Sequence, residues 1–240
     1  MQFYFIRHAQ SANNALWDST GSDEGRSDDP DITPLGIQQA ERLADFLHRQ
    51  SPELRSGWRD PANEGGFGIT HLYCSPMLRA FETARITAQK LDLPLTIWKD
   101  FHEGGGLYLK DEDTEESYGT SGKSRSFFTS QYDRVVLPDD IGEDGWWNRP
   151  PEQPEEREIR AHRVIEELLE RHGGTQDVVA VISHGAFYNH FLWALFGTER
   201  KQNIWFLMTN TGISRFDFGE EWTDLVYQNR MDHLINGLIS

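Results

Sequence analysis

Residues 2–8 read Gln-Phe-Tyr-Phe-Ile-Arg-His, an apolar and aromatic run that ends in two polar side chains. A short apolar run of this kind predicts a buried β-strand over residues 2–6. In open α/β sheets, ligands bind in the crevice beyond the carboxyl ends of the strands. Arg7 and His8 occupy that place in the chain and are therefore the first candidate site residues.

A second run, Val-Val-Ala-Val-Ile at residues 178–182, is rich in β-branched side chains and predicts another buried strand. Ser183, His184 and Gly185 follow it directly, and residues 185–196 are predicted to form the next helix. Gly185 allows the backbone to approach closely at this point. A second histidine thus stands at the carboxyl end of a predicted strand.

The remaining patterns alternate between strands and helices, which favours an α/β fold. Strands are predicted at 69–74, 95–98, 213–218 and 225–228, helices at 34–49, 76–90 and 155–172, and loops at 17–31 and 51–68. We expect a three-layer αβα sandwich with a mostly parallel mixed sheet. Residues 1–240 are expected to form a single domain, with residues 104–154 as an insertion or cap because they are glycine-rich, aromatic and acidic.

Composition excludes several classes of protein. The chain has 240 residues and a formal net charge of −16, which argues against a nucleic-acid partner. It has no apolar stretch long enough for a membrane span, and its N-terminus lacks the pattern of a signal peptide. The single cysteine, Cys74, offers neither an internal disulfide nor a cysteine-based metal site. We therefore expect a cytoplasmic protein without a membrane partner, and its oligomeric state stays open.

Two further residues fit the chemistry of phosphoryl transfer. Arg79 lies in the first turn of the predicted helix 76–90, where a positive side chain opposes the helix dipole unless an anion binds there. Glu103 follows the strand at 95–98 and precedes three glycines. Two histidines, two arginines and a carboxylate at such positions suit a histidine nucleophile, cationic phosphate binding and a proton donor. The predicted partner is a small phosphorylated substrate.

In these motifs the chain resembles the histidine phosphatase superfamily, also called the phosphoglycerate mutase-like family. The resemblance runs through Arg7-His8-Ala9-Gln10-Ser11 with Asn14, Asp31-Ile32-Thr33-Pro34-Leu35-Gly36 with Gln39-Ala40, Ser75-Pro76-Met77-Leu78-Arg79-Ala80 with Thr83-Ala84, His102-Glu103, Ser183-His184-Gly185, Asn210-Thr211-Gly212-Ile213 and Asp232-His233-Leu234. It implies that His8 is the phosphorylated nucleophile and Glu103 the proton donor. It further implies that Arg7, Arg79 and His184 bind the phosphate, that Asn14 contacts the substrate or the phosphate rim, and that no metal or cofactor is needed.

Two departures from the family bear on the reaction. Ala9 stands where the family most often has glycine, and alanine is a frequent variant at this position. The mutases have an arginine directly after the acid and paired arginines in the insert, whereas Gly104 follows Glu103 here and residues 104–154 contain no adjacent basic pair. We therefore predict a metal-independent phosphomonoester phosphatase of the histidine acid type, acting through a phosphohistidine. The alternatives are a cofactor-dependent phosphoglycerate mutase and a non-catalytic phospholigand-binding module.

Other motifs are interpreted as structural. Residues 118–124 resemble a phosphate-binding P-loop, but Ser117 replaces its first glycine and no strand is predicted before it. Lys123 or Arg125 is left as a residue that could fold over the pocket. No metal site is predicted, because the histidines lack ligand spacing, notably His102, His162, His172 and His190. The aromatic residues of the insert are expected to pack it onto the sheet, namely Phe127, Phe128, Tyr132, Trp146 and Trp147.

Overall fold

The computed structural model describes residues 1–51, 60–111, 113–114, 116–201, 203–235 and 237–240. The strands are β1 (Gln2–Arg7), β2 (His71–Cys74), β3 (Leu95–Ile97), β4 (Tyr108–Lys110), β5 (Ser117–Gly119), β6 (Val135–Val136), β7 (Val178–Ser183), β8 (Ile213–Phe218) and β9 (Thr223–Arg230). The α-helices are α1 (Ala12–Thr20), α2 (Pro34–His48), α3 (Leu78–Leu91), α4 (Arg125–Gln131), α5 (Pro154–His172) and α6 (Gly185–Leu195), and residues Lys99–Phe101 form a 3-10 helix. Of the predicted loop at 51–68, residues 52–59 lie outside the described residues.

The central sheet has seven described strands in the order β6-β3-β2-β7-β1-β8-β9. Strands β6, β3, β2, β7 and β1 pair in parallel, whereas β8 is antiparallel to both β1 and β9. This confirms the mostly parallel mixed sheet. No helix in the described ranges combines the length and the apolar character needed to span a bilayer.

Alternate side chains of β1 enter two separate cores, because successive residues of a strand point to opposite faces. Tyr4 and Ile6 belong to the core on the side of α2 and α3. Phe3 and Phe5 belong to the core beneath α5 and α6. The sheet is therefore covered on both faces, which confirms the three-layer αβα sandwich.

The insert at 104–154 contributes both to the rim and to the core. It contains the β4–β5 hairpin, helix α4 and strand β6, which extends the main sheet by pairing with β3. Four of the five aromatic residues singled out from the sequence are buried in the core beside α3, and Phe127 packs against it. These are Phe128, Tyr132, Trp146 and Trp147. The packing interpretation of these aromatic residues is confirmed.

The prediction of a loop from residue 17 is wrong, because α1 occupies Ala12–Thr20. A reciprocal capping box starts this helix: Asn14 N donates to Ser11 Oγ at 3.3 Å, and Ser11 N donates to Asn14 Oδ1 at 3.1 Å. The helix buries no residue, so it lacks the apolar periodicity that predicts helices. It ends at Gly21, whose φ of 67° is left-handed.

The helix predicted over residues 76–90 begins two residues later than expected. Helix α3 starts at Leu78, and its N-cap residue, Met77, makes no capping bond with its side chain. Asp29 supplies the missing acceptor from a distant loop, since Leu78 N donates to Asp29 Oδ1 at 2.8 Å. The other predicted helices and strands are present, with ends that differ by at most 2 residues.

Candidate active site

The carboxyl ends of β1, β2 and β7 bring the predicted histidines together. His8 N donates to Ser183 O at 2.8 Å, which fixes the end of β1 against the end of β7. The rings of His8 and His184 lie with their centroids 5.1 Å apart. Ser75, the first residue after β2, forms a hydrogen bond with His184 at 2.8 Å. Three strand ends thus form one polar cluster.

The ring of His8 is held in the tautomer that a nucleophile needs. Its Nδ1 lies 2.6 Å from the carbonyl oxygen of Ala9. Because a carbonyl oxygen only accepts, Nδ1 carries the hydrogen and Nε2 keeps its lone pair. Arg79 confirms this assignment, since its Nε–H donates to His8 Nε2 at 3.2 Å.

The surroundings of His8 also keep its imidazole neutral. Burial is the largest cause that holds its pKa well below the usual value, followed by the positive charges of Arg79 and Arg7. The side chain is nearly inaccessible, with 3% of the residue surface exposed. An unprotonated Nε2 is therefore available at neutral pH, which is the form that can attack phosphorus.

His184 presents a hydrogen-bond donor beside His8. Ser75 Oγ accepts from Met77 N at 3.2 Å and forms a hydrogen bond with His184 Nε2 at 2.8 Å. When the hydroxyl hydrogen points to Nε2, that nitrogen is the acceptor. Nδ1 of His184 then carries a hydrogen, and it has no partner in the described part of the chain. Burial and the nearby Arg79 hold the pKa of His184 well below the usual value. It is thus a neutral donor for an anionic oxygen.

Two half-buried guanidinium groups provide the positive charge of this cluster. Arg7 is anchored by a hydrogen bond from its Nη1 to Met208 O at 2.6 Å. Its Nε is buried without a partner among the described residues. Burial lowers the pKa of both Arg7 and Arg79, while the carboxylate of Glu103 raises both. Arginine remains charged at neutral pH despite such shifts, so both groups can bind phosphate.

Glu103 lies at the N-terminus of α6, where the backbone holds its carboxyl group. Oε1 accepts from Phe187 N at 2.8 Å and from Gly104 N at 2.8 Å, and Oε2 accepts from Ala186 N at 3.1 Å. The helix dipole favours a negative group at this end. Since His184 is the N-cap residue of the same helix, the carboxyl group and the histidine are positioned by one element.

Comparison with known proteins agrees with this geometry. The chain matches the sequence profile of the Histidine phosphatase superfamily (branch 1) over residues 63–230, which is more than half of its length. It belongs to this superfamily. The match begins after Arg7 and His8, so the roles of these two residues rest on their geometry.

Two of the related proteins have names that describe different reactions, one a phosphatase and one a mutase. The chain is 26% identical to "Putative phosphoserine phosphatase 2" of Hydrogenobacter thermophilus, over 97% of both chains. It is 23% identical to "Probable phosphoglycerate mutase GpmB" of Yersinia pestis, over 92% of this chain and 86% of the relative. The fold is similar to that of the phosphoserine phosphatase of Entamoeba histolytica in complex with phosphoserine, with a TM-score of 0.58, 20% identity and coverage of 98% and 99%. These likenesses agree with phosphomonoester hydrolysis and leave a mutase reaction possible.

Asn14 supports the loop that carries His8. Its Oδ1 accepts from Ser11 N at 3.1 Å and from Asn210 Nδ2 at 3.2 Å. Asn210 Nδ2 also donates to the carbonyl oxygen of His8 at 2.9 Å. The oxygen of Asn14 is therefore used within the protein, and its amide nitrogen is the atom left for the predicted substrate contact. Asn210, which lies in a quoted motif, was given no role from the sequence.

Asp29 is a site neighbour that the sequence analysis missed. Its Oδ1 caps α3 at Leu78, one residue before Arg79, and its Oδ2 is buried without a partner in the described ranges. Burial is the main cause that raises its pKa to about 6, while the Leu78 hydrogen bond and the charge of Arg79 lower it. Nothing in the sequence distinguishes it from the other acidic residues, which number 39 in all.

Arg26 and Tyr108 form a rim beside the Glu103 loop. The guanidinium carbon of Arg26 lies 4.6 Å from the centre of the Tyr108 ring. Tyr108 packs so closely on Gly105 that an added Cβ would lie 2.8 Å from its ring. The charge of Arg26 contributes to lowering the pKa of Arg79. Arg26 thus extends the positive field of the pocket outwards.

Lys123 and Arg125, the two residues of the insert considered for folding over the pocket, have different contacts in the structure. Arg125 serves the insert itself, because its Nε donates to Ile141 O at 2.8 Å and its Nη2 to Pro138 O at 2.5 Å. Lys123 lies 5.2 Å from the ring of Phe127, and its charge lowers the pKa of Asp29. Strand β5 covers Ser117–Gly119, so it overlaps the start of the P-loop-like motif and does not precede it, and it pairs with β4 through backbone bonds.

Proposed function

We propose that this protein is a metal-independent phosphomonoester phosphatase that forms a phosphohistidine at His8. The observation that supports the proposal most strongly is the hydrogen-bonding state of the His8 ring. Nδ1 donates to Ala9 O at 2.6 Å, and Nε2 keeps a lone pair that accepts from Arg79 at 3.2 Å. Two adjacent guanidinium groups favour an anion in this pocket and oppose a divalent cation there.

In the first step, His8 Nε2 attacks phosphorus and the bond to the leaving oxygen breaks. The guanidinium groups of Arg7 and Arg79 and the Nδ1–H of His184 bind the equatorial oxygens, where negative charge is held in the transition state. In this step Glu103 acts in its protonated form, as the general acid. Glu103 then gives this proton to the leaving alkoxide.

In the second step, the ionised Glu103 takes a proton from water while the water oxygen attacks phosphorus. The bond between phosphorus and Nε2 of His8 breaks, and inorganic phosphate leaves. Glu103 is protonated again, and His8 recovers its lone pair for the next cycle. The hydrogen bond to Ala9 O keeps Nδ1 as the donor throughout, so the same nitrogen attacks each time.

The contacts of the insert favour hydrolysis over a mutase reaction. A mutase must retain a phosphorylated acid while the phosphoryl group returns to a second oxygen. The Nε and Nη2 groups of Arg125 donate to insert carbonyl groups, and the residue after the acid is Gly104. Assaying release of inorganic phosphate beside isomerisation of a phosphoglycerate separates the two reactions.

We infer that the preferred substrates carry a second anionic group. Arg26 stacks on Tyr108 beside the Glu103 loop, and the described residues place no carboxylate within ion-pair distance of it. A charge at the rim, next to a phosphate pocket, fits a carboxylate on the leaving group. The Entamoeba histolytica enzyme binds phosphoserine and 3-phosphoglyceric acid, which both carry one.

The decisive experiment compares wild-type protein with His8→Ala in excess EDTA. Hydrolysis of an aryl phosphate should persist in the wild type and fall by roughly 10³-fold or more in the variant. His162→Ala, which changes an exposed histidine of α5, is the matched control and should keep full activity. Alkaline quenching during turnover should trap base-stable phosphate on the wild type alone. Equal rates in wild type and His8→Ala would refute the proposed nucleophile.

The role of Arg26 has its own test. Arg26→Ala should raise KM for phosphoserine about tenfold, because one charge-assisted contact contributes about 1.5 kcal/mol. It should leave KM for a neutral-tailed aryl phosphate within about twofold. A uniform loss for both substrates would show that Arg26 supports the fold and does not select the substrate.

A further inference from the structure

Three potential metal ligands meet at the end of the sheet opposite the active site. His71 begins β2, His172 ends α5, and Asp177 directly precedes β7. One ligand atom from each residue lies within 4.8 Å of the others. The closest pair is His172 Nδ1 and Asp177 Oδ2, at 2.9 Å. The cluster joins the amino ends of two neighbouring strands to the end of a helix.

Thr70 orients the ring of His71. The Thr70 hydroxyl accepts from Val178 N at 3.0 Å, donates to Val178 O at 3.1 Å and lies 2.8 Å from His71 Nδ1. With its hydrogen directed to Val178 O, the hydroxyl accepts from Nδ1–H of His71. The lone pair of His71 is then on Nε2, the nitrogen with no partner in the described part of the chain.

The hydroxyl of Tyr73 orients the ring of His172. This hydroxyl lies 2.9 Å from Nε2 of His172, which leaves Nδ1 facing the carboxylate of Asp177. A phenol oxygen can accept as well as donate, so it can bind an Nε2–H when Nδ1 gives up its hydrogen. Metal-binding histidines usually donate their second ring nitrogen to an oxygen in this way. Both histidines of the cluster therefore have an outer partner of the required kind.

From this arrangement we propose that His71, His172 and Asp177 bind one divalent transition-metal ion of the zinc class. Two imidazole nitrogens and a carboxylate oxygen are a known ligand set for Zn²⁺, with water in the remaining position. The proton on Nδ1 of His172 is released to solvent when the ion binds. Asp177 has 30% of its side chain exposed, so solvent can reach the cluster.

The charges around the cluster are compatible with a cation. Arg171 pairs with Glu167 at 3.1 Å and stacks on Trp98 at 4.0 Å, and its charge also acts on the phenol of Tyr73. Two neutral imidazoles and one carboxylate leave a net charge of about −1 for the ion to neutralise. The ligand set therefore offers a negative site within reach of water.

The ion would stabilise the fold without taking part in hydrolysis. The six-residue strand Val178–Ser183 spans about 20 Å and separates Asp177 from His184. Binding to the folded chain alone raises its stability in proportion to the logarithm of metal concentration. The proposed metal site therefore depends only on the folded structure and is independent of the proposed catalytic mechanism.

Zinc titration of the EDTA-treated, dialysed full-length protein by calorimetry tests the proposal. Wild type should bind one equivalent with a Kd near or below about 1 μM. His71→Ala changes a partly exposed side chain and should weaken binding at least tenfold, as should Asp177→Asn. His162→Ala should bind zinc like the wild type, since this exposed histidine lies outside the cluster.

A second readout identifies the ligands directly. Co²⁺ added to wild type should give the visible absorption of a four-coordinate ion, and His71→Ala should abolish it. Zinc should raise the Tm of the wild type and not that of His71→Ala, while aryl phosphate turnover stays the same in both. Equal zinc binding in wild type and His71→Ala, or no stoichiometric binding by the wild type, would overturn the proposal.

Discussion

Replacing Arg79 by glutamine tests the electrostatic design of the pocket most directly. The Nε–H of Arg79 donates to the attacking nitrogen of His8 at 3.2 Å, and the remaining N–H groups are free to bind phosphate oxygens. Two charge-assisted hydrogen bonds of about 1.5–2 kcal/mol each give a loss of about 3–4 kcal/mol. We expect kcat/KM for an aryl phosphate to fall by about 10²–10³-fold.

The same substitution should move the pH profile. Burial lowers the pKa of His8 most, and the charge of Arg79 is the next cause. Without that charge the pKa of His8 rises, so protonation removes the Nε2 lone pair at a higher pH. The acid limb of kcat/KM should therefore shift to higher pH in Arg79→Gln than in wild type.

Arg79→Lys is the matched control for this shift. It keeps the positive charge and loses the flat array of N–H donors, so its rate should fall while its acid limb stays closer to that of the wild type. The assay is kcat/KM measured from about pH 4 to pH 9 in excess EDTA. An acid limb of Arg79→Gln at or below the wild-type position would refute the electrostatic reasoning.

Three further substitutions probe other parts of the site. Glu103→Gln should slow hydrolysis of alkyl phosphates by about 10²–10⁴-fold and affect activated aryl phosphates less, as steady-state rates with both substrates would show. Arg160→Met should lower the free energy of unfolding in urea by about 3–5 kcal/mol, because it leaves Glu152 buried without its partner at 2.7 Å; a loss below about 1 kcal/mol would contradict this. Asp29→Asn should become more stable than wild type, by up to about 3 kcal/mol, as the pH rises from about 4 to 6. Urea unfolding of both proteins at both pH values measures this difference. The sign follows from a folded-state pKa of about 6, above the ordinary value of 3.8, so that wild type loses stability as this carboxyl ionises and the asparagine variant does not.

The strand ends were predictable because two independent signals coincide there. An apolar run fixes each strand, and the change to polar residues after it fixes the edge of the sheet where Arg7, His8 and His184 meet. Helix α1 gave no such signal, because it buries no residue and depends on the local capping box of Ser11 and Asn14. The start of α1 is defined by the hydrogen bonds between Ser11 and Asn14.

Contacts between distant segments set the limit of what the sequence predicts. Asp29 caps α3 across 49 positions of the chain, and no local pattern marks that pairing. The cluster of His71, His172 and Asp177 likewise depends on β2 and β7 being neighbours in the sheet. Ligand spacing along the chain marks a metal site where the ligands share one element, so it gave no signal for His172.

An acidic chain can still favour an anionic substrate, because the field inside a cleft is set by its nearest charges. The net charge of −16 is spread over the whole chain, and water with physiological salt screens exposed charges beyond about 8 Å. Arg7 and Arg79 are half-buried beside the buried His8, where screening is weaker. The charge of Glu103 is balanced in part by the N-terminus of α6. The pocket therefore keeps a positive field for phosphate although the chain as a whole is acidic.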